Sequence, residues 1–208
     1  PLGALMPEDA RRAMVALLAR HGVPLIEDDV YAELYFGAQR PLPAKAWDRE
    51  GGVMHCSSFS KSLAPGYRVG WVSAGRFAPQ VNRLKFMSTL GVSVPSQLAV
   101  LHFLQHGAFD KHLRQLRAAL AARQQRALLA IEKHFPDGTR VTRPEGGYFL
   151  WVELPDAVDA MALQQAALAR HISVAPGSLF SADKRFRHHL RLNVGHPRLE
   201  QLDAALKT

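Results

Sequence analysis

A lysine in a hydroxyl-rich turn is the first feature of this sequence that could do chemistry. Lys61 stands in the run SSFSKS (57–62), and a Pro-Gly turn then leads to Arg68 and a second apolar run. A lysine presented in this way can form a Schiff base with a carbonyl cofactor. The serine hydroxyls and Arg68 suit a phosphate group, which a guanidinium binds through two charge-assisted hydrogen bonds. The alternative is a solvent-facing loop.

A second polar segment, one predicted strand earlier, favours the cofactor interpretation. Asp28, Asp29 and Tyr31 follow the apolar run VPLI (23–26), and ligands of open α/β sheets bind at the carboxyl ends of strands. A pyridine cofactor needs a carboxylate at its ring nitrogen, which keeps that nitrogen protonated so that the ring withdraws electrons. A phenol can hydrogen-bond to the ring oxygen. The alternative is a helix N-cap or a turn with solvated carboxylates.

The run SSFSKSLAPGYRVGW (57–71) resembles the fold-type-I, pyridoxal-phosphate-dependent aminotransferases. It looks most like the aminotransferase-like domain of MocR/GntR-type transcription regulators. The resemblance extends from Pro1 to about His196 and includes the runs GGYF (146–149) and APGSLF (175–180). It implies an α/β fold, with part of the mainly parallel sheet of a large domain followed by a small α+β domain.

The resemblance also assigns roles to individual residues. By it Lys61 is the imine lysine of pyridoxal 5'-phosphate, Asp28 is the partner of the pyridine nitrogen, and Tyr31 is the partner of the ring hydroxyl. The implied phosphate ligands are Ser58, Ser60 and Arg68. Arg191, in the run HLRLN (189–193), matches the arginine that holds the α-carboxylate of a substrate. Without that context, a surface arginine on an edge strand is the simpler interpretation of Arg191.

The chain departs from the family pattern in its length. Family members are much longer, and Pro1-Leu2-Gly3 falls inside a motif that an asparagine usually precedes. The resemblance therefore implies the C-terminal half of such a protein. By the resemblance, the features expected upstream of Pro1 are that asparagine, a glycine-containing phosphate loop, an aromatic residue that stacks on the pyridine, and any winged-helix DNA-binding domain. We expect these residues alone to bind the cofactor poorly and to be inactive in transamination.

Three functions fit these observations. The preferred one is a pyridoxal-phosphate-binding effector domain of a GntR/MocR-type regulator, a homodimer that senses an amino acid or amine and contacts DNA only through a domain outside this chain. The alternative is a free-standing aminotransferase of aminoadipate-like or broad specificity, in which Lys61 takes the α-proton. The third is a dimerisation module that retains only the fold. The presence of Lys61, Asp28, Tyr31 and Arg191 argues against it.

Composition excludes several other classes. With 208 residues, 48% of them hydrophobic, the chain can bury a core of one or two domains. Its single cysteine, Cys56, excludes an intramolecular disulfide framework, suits a cytoplasmic location, and is expected to be a small buried apolar residue. No apolar stretch has membrane-spanning length. The net charge of +8 is spread along the chain without a dense basic run, so these residues are not predicted to bind DNA.

Hydrophobic periodicity predicts the secondary structure. Helices are expected at 7–21, 77–90, 95–106, 109–135, 160–170 and 197–206. Strands are expected at 23–27 (buried), 53–57, 67–74, 139–142, 148–154 and 190–194. By resemblance, the third strand runs antiparallel to the first two. A boundary near Gly107 separates residues 1–107, part of the large cofactor-binding domain, from residues 108–208, the small C-terminal domain.

A few residues suggest further chemistry that we consider less favoured. His102 and His106 stand one helical turn apart and could share a metal, but no third ligand is evident. We therefore expect a helix-surface pair and no metal site. The pair Gly146-Gly147 is more simply a turn that enters a strand than a phosphate loop. Trp71 and Trp151 are expected in the core.

Overall fold

The structure is a computed structural model and describes residues 3–183, 185–195 and 199–208. Helix α1 (Glu8–Arg20) carries Glu8 and Asp9 in its first turn, where negative charge stabilises the helix N-terminus. Gly22 follows the helix with a φ of 64°, a left-handed conformation that glycine adopts without steric cost. The helix predicted at 7–21 is confirmed.

Three strands form the first sheet, in the order β1 (Leu25–Asp28), β2 (Val53–Ser58), β3 (Gly70–Ser73). Strands β1 and β2 are parallel, whereas β3 runs antiparallel to β2, as the resemblance implied. Because β1 and β2 are parallel, their carboxyl ends lie at the same edge of the sheet.

The prediction of a buried strand at 23–27 is wrong about burial. Within the described part of the chain β1 pairs only with β2, and the Ile26 side chain is 68% exposed. Trp71 on β3 is 46% exposed, so its predicted place in the core is also wrong. Both side chains lie on strands at the edges of this sheet, where no described element covers them.

Three helices follow the sheet, close to their predicted bounds. They are α2 (Ala78–Thr89), α3 (Val94–Gln105) and α4 (Ala108–His134). Helices α2 and α3 and the segment between them expose several large apolar side chains: Leu84, Phe86, Met87, Leu90, Val94 and Leu98. A small core cluster forms instead between α1 and β2, where Val15, Ala44 and Val53 are buried.

The second sheet has four antiparallel strands in the order β4 (Arg140–Val141), β5 (Phe149–Glu153), β7 (His189–Asn193), β6 (Ala175–Pro176). Its main core combines alternate residues of β5 and β7 with residues of three helices: α4, α5 (Ala160–Leu168) and α6 (Leu199–Lys207). The two-residue strand β6 was not predicted. Pro197, the predicted start of the last helix, lies outside the described residues.

The described chain divides into two compact units. One spans Met6–Leu116, and the other contains Arg117–Thr208 together with the described residues up to Leu5. The division therefore falls inside α4, whereas the boundary predicted near Gly107 lies just before that helix. The division lies within a continuous helix, where the sequence has no loop residues, glycine or proline to indicate a boundary. Within the described residues, no helix is long and apolar enough to cross a membrane.

Candidate functional site

Lys61 lies in a tight turn at the carboxyl end of β2. The backbone N–H groups of Leu63 and Ala64 both donate to the Phe59 carbonyl, at 2.8 and 3.0 Å, and close the turn around the lysine. His112 on α4 supports the turn through a 2.8 Å contact between its Nε2 atom and the Ser62 carbonyl oxygen. The lysine itself is exposed, and its Nζ atom lies 5.7 Å from the centroid of the Tyr31 ring.

The three predicted phosphate ligands form one hydrogen-bonded group. The Ser60 backbone N–H donates to the Ser58 hydroxyl at 3.2 Å, and Nη1 of Arg68 donates to the Ser60 hydroxyl at 3.3 Å. Arg68 has a φ of 54°, a left-handed conformation that is rare for residues other than glycine. This conformation ends the short 3-10 helix Pro65–Tyr67, while the Arg68 side chain returns to the lysine turn. Uncommon backbone of this kind clusters at ligand-binding sites.

Asp28, the last residue of β1, lies on the same face of the sheet as Ser58. The parallel register pairs Asp28 with Cys56, and Ser58 is two residues further along β2. Residues two apart in a strand share a face. Asp28 is exposed, and no side chain among the described residues donates a hydrogen bond to its carboxylate.

The thiol of Cys56 is not activated as a nucleophile. Burial, followed by the negative charge of Asp28, raises the pKa of this half-buried thiol, which disfavours the nucleophilic thiolate.

Asp29 belongs to a polar cluster that the sequence analysis did not identify. Its Oδ2 atom lies 2.9 Å from Nε2 of His55 and 3.2 Å from Nη2 of Arg40. Arg40 also binds Glu33 at 2.8 Å, and the His55 ring packs edge-on against Trp71 with the centroids 5.0 Å apart. Strand alternation could have indicated this cluster, because it places residues 29, 55 and 71 on the face opposite Asp28. That placement requires the strand register, which the sequence does not give.

Arg191 lies in the second unit, on a central strand. Strand β7 lies between β5 and β6, so the alternative of a surface arginine on an edge strand is wrong. The guanidinium carbon of Arg191 lies 4.3 Å from the ring centroid of Phe149 and 4.5 Å from that of Phe180. An aromatic ring at such a distance attracts a guanidinium, and a guanidinium can bind a planar anion through its N–H groups. Both phenylalanines belong to the runs GGYF and APGSLF that carried the resemblance.

The other predicted residues have structural roles. His102 on α3 and His106, the residue that follows α3, are both exposed, and their ring centroids lie 4.0 Å apart. The described residues contain no group of three metal-ligating side chains. Gly147 has a φ of 77° in a turn that enters β5, and Trp151 is buried, as predicted.

The residues of the first unit fit a pyridoxal phosphate. The site combines an exposed primary amine next to a phenol ring, an accessible carboxylate on the face that carries Ser58, and an arginine joined to a serine hydroxyl and a backbone turn. These are the donor and acceptor types that the aldehyde, the pyridine nitrogen and the phosphate of this cofactor need. The described residues contain no competing charge partner for either Lys61 or Asp28 that would occupy these groups.

Comparisons with known proteins place this geometry in a family. The sequence profile of Aminotransferase class I and II matches residues 1–208. Two relatives are uncharacterized HTH-type transcriptional regulators of Escherichia coli. YdcR is 49% identical and YjiR is 40% identical, each over 100% of this chain and 44% of its own length.

Solved structures agree with this placement. The kynurenine aminotransferase of Pyrococcus horikoshii has a TM-score of 0.90 at 31% identity, over 100% of this chain and 52% of its own. The alpha-aminoadipate aminotransferase of Thermus thermophilus has a TM-score of 0.89 at 32% identity, over 98% and 53%. The chain thus spans about half the length of these proteins, and the expected fold-type-I architecture is confirmed. The chain belongs to the aminotransferase class I and II family.

Proposed function

We propose that this chain is the pyridoxal-phosphate-binding effector region of a GntR/MocR-type transcription regulator. The observation that carries the proposal is the grouping of Lys61, Tyr31 and the hydrogen-bonded set Ser58, Ser60 and Arg68 in one unit, with Asp28 on the Ser58 face. The two regulators at 49% and 40% identity support the regulatory role. DNA contact is assigned to a part of the protein outside these residues, and the protein is expected to act as a cytoplasmic homodimer.

Each residue has a distinct task in this proposal. Lys61 anchors the cofactor covalently through Nζ, and Asp28 holds the proton of the pyridine nitrogen. Tyr31 donates a hydrogen bond to the ring oxygen, and Ser58, Ser60 and Arg68 bind the phosphate. The cofactor, when bound, supplies an electrophilic carbon that combines with amines and a ring that withdraws electrons.

Arg191 is the proposed ligand-binding residue of the second unit. Its guanidinium lies close to the rings of Phe149 and Phe180, and a guanidinium can donate two parallel hydrogen bonds to a carboxylate. This residue makes an α-amino acid, or another amine that bears a carboxylate, the favoured effector class.

A free-standing aminotransferase remains the second candidate, because relatives named as aminotransferases support it. The aromatic-amino-acid aminotransferase 1 of Thermococcus litoralis is 32% identical over 100% of this chain and 50% of its own length. In such an enzyme Lys61 would also take the α-proton of the amino acid, a task for which an amine next to the reacting carbon is suited. The same residues serve both candidates, so only turnover separates them.

The test compares DNA binding with turnover on the intact protein loaded with pyridoxal phosphate. An amino acid or amine that changes operator binding without repeated release of an oxo acid supports the regulator. Many turnovers per site, with no effect of the amine on DNA binding, would favour the aminotransferase. Lys61→Ala should abolish either response, and Lys85→Ala on the exposed side of α2 serves as the matched control.

A further inference from the structure

The pair Asp28-Asp29 has two carboxylates with different environments. The Asp28 carboxylate is exposed on the face of the sheet that carries Ser58. On the opposite face, the Oδ2 atom of Asp29 forms hydrogen bonds with Nε2 of His55 and Nη2 of Arg40. Successive side chains of an extended segment point to opposite faces, so fixing one determines where the other points. We propose that His55 is a positioning residue: it holds the Asp29 side chain on the face opposite Ser58 and thereby orients Asp28 toward the cofactor.

The backbone of Asp29 is fixed as firmly as its side chain. Its N–H donates to the Cys56 carbonyl at 2.8 Å, and its own carbonyl accepts from the Ser57 hydroxyl and from the Ala32 N–H, both at 3.2 Å. These bonds join the end of β1 to β2 and start the short 3-10 helix that follows Tyr31. Asp29 is therefore the fixed point between Asp28 and Tyr31, the two residues assigned to the cofactor ring.

His55 is the buried partner in this arrangement. Its side chain is 8% exposed, against 31% for Arg40, so solvent replaces the arginine contact more easily than the histidine contact. The Trp71 ring lies edge-on against His55 and limits the orientations of the imidazole. With Nε2 carrying the proton, His55 donates to Asp29 Oδ2, and loss of this donor leaves a half-buried carboxylate oxygen with Arg40 alone.

The inference rests on the proposed function, because Asp28 matters here only if a cofactor binds. It is tested by measuring pyridoxal phosphate affinity and the pH midpoint of the visible absorption band of the intact, cofactor-loaded protein. His55→Phe keeps the ring against Trp71 and removes the donor. We expect about tenfold weaker cofactor binding and a displaced pH midpoint, because the ring nitrogen loses a well-placed carboxylate. His102→Phe, at an exposed histidine of the same unit, should change neither.

Two further variants separate positioning from general stability. His55→Gln places an amide N–H near the position of Nε2 and should restore the affinity and the pH midpoint of wild type. Asp29→Ala removes the acceptor and should reproduce the effect of His55→Phe, and the double variant should be no weaker than the Asp29→Ala variant, because both substitutions remove the same contact. If His55→Phe does not fold, Asp29→Ala and His55→Gln still provide the comparison.

The outcomes distinguish this inference from the function on which it rests. If wild type forms the Lys61 adduct but His55→Phe matches it in affinity and spectrum, the positioning role is wrong and the proposed function stands. A failure of His55→Gln to restore the pH midpoint would mean that ring packing, and not the hydrogen bond, carries the effect, which also contradicts the proposal. If wild type forms no adduct, both proposals are wrong.

Discussion

The Nζ atom of Lys61 lies 5.7 Å from the centroid of the Tyr31 ring, although the two residues belong to separate segments that follow β2 and β1. The parallel pairing of those strands brings their carboxyl ends together and sets this distance. An exposed amine beside a phenol, within one unit of the structure, is the relationship from which the following predictions start.

Lys61 is expected to be the only lysine that carries the cofactor. Borohydride reduction of the loaded protein, followed by peptide mapping, should place the adduct on the peptide that contains residue 61. Lys61→Ala should lose the visible absorption band, whereas Lys85→Ala should keep it. An adduct at another lysine would contradict the assignment.

Tyr31→Phe should weaken cofactor binding without removing the covalent adduct. The substitution keeps the aromatic ring next to Lys61 and removes only the hydroxyl that is proposed to bond to the cofactor ring oxygen. Loss of one neutral hydrogen bond corresponds to about fivefold in affinity. Equilibrium titration with pyridoxal phosphate measures this change. An unchanged affinity would show that the hydroxyl does not contact the cofactor.

Arg68 and Arg191 should have separable roles. Arg68→Ala is expected to reduce cofactor affinity, because Arg68 joins the Ser60 hydroxyl in the proposed phosphate site. Arg191→Ala should leave cofactor affinity unchanged and reduce the response to amino acids that carry a carboxylate. Each loss should be about 2 kcal/mol, typical of a hydrogen bond to a charged group. Equal effects of both substitutions on the cofactor would contradict this division.

Asp48 should make the first unit sensitive to acid. Burial raises the pKa of its carboxyl group, but hydrogen bonds from Lys45 and from the Val53 and Gly52 N–H groups outweigh this and lower the pKa from 3.8 to about 2. The side chain is only 3% exposed. Because the folded-state pKa is below the ordinary one, the stabilisation is complete above pH 3.8 and is lost as the pH falls through about 2.

The expected size of this effect is about 2 kcal/mol in the free energy of unfolding. Urea unfolding at a series of pH values should show the loss in wild type and a smaller pH dependence in Asp48→Asn. Asp137→Asn, at an exposed carboxylate, is the control and should behave as wild type. If wild type and Asp48→Asn lose stability in parallel on acidification, Asp48 is not the responsible group.

When residues 1–208 are studied alone, the exposed edge of the first sheet should promote self-association. Strand β1 pairs only with β2 among the described residues, and Ile26 is 68% exposed. An uncovered apolar edge strand can pair with another chain. Light scattering over a concentration series should show association that Ile26→Lys reduces. Leu168→Lys, at a side chain that is 61% exposed on α5, tests whether any added charge has this effect.

Local patterns in the sequence determined most of the secondary structure. The bounds of helix α1 can be predicted from its acidic first turn and the glycine after it, and the length of α4 can be predicted from the spacing of its apolar residues. These patterns are local, because each involves residues within a few helical turns. The residue types of the lysine turn and of the Asp28–Tyr31 segment were sufficient to predict cofactor chemistry and the family. No contact between distant residues was needed for any of these conclusions.

The tertiary structure decided which side chains meet. The contact between Asp29 and His55 joins residues 26 positions apart, and it depends on the register of β1 against β2. The contacts of Arg191 with Phe149 and Phe180 depend on the order of the strands in the second sheet, and the exposure of Ile26 depends on what covers β1. Residue spacing within one segment contains none of this information, because a one-residue change of register moves every side chain to the other face of its sheet.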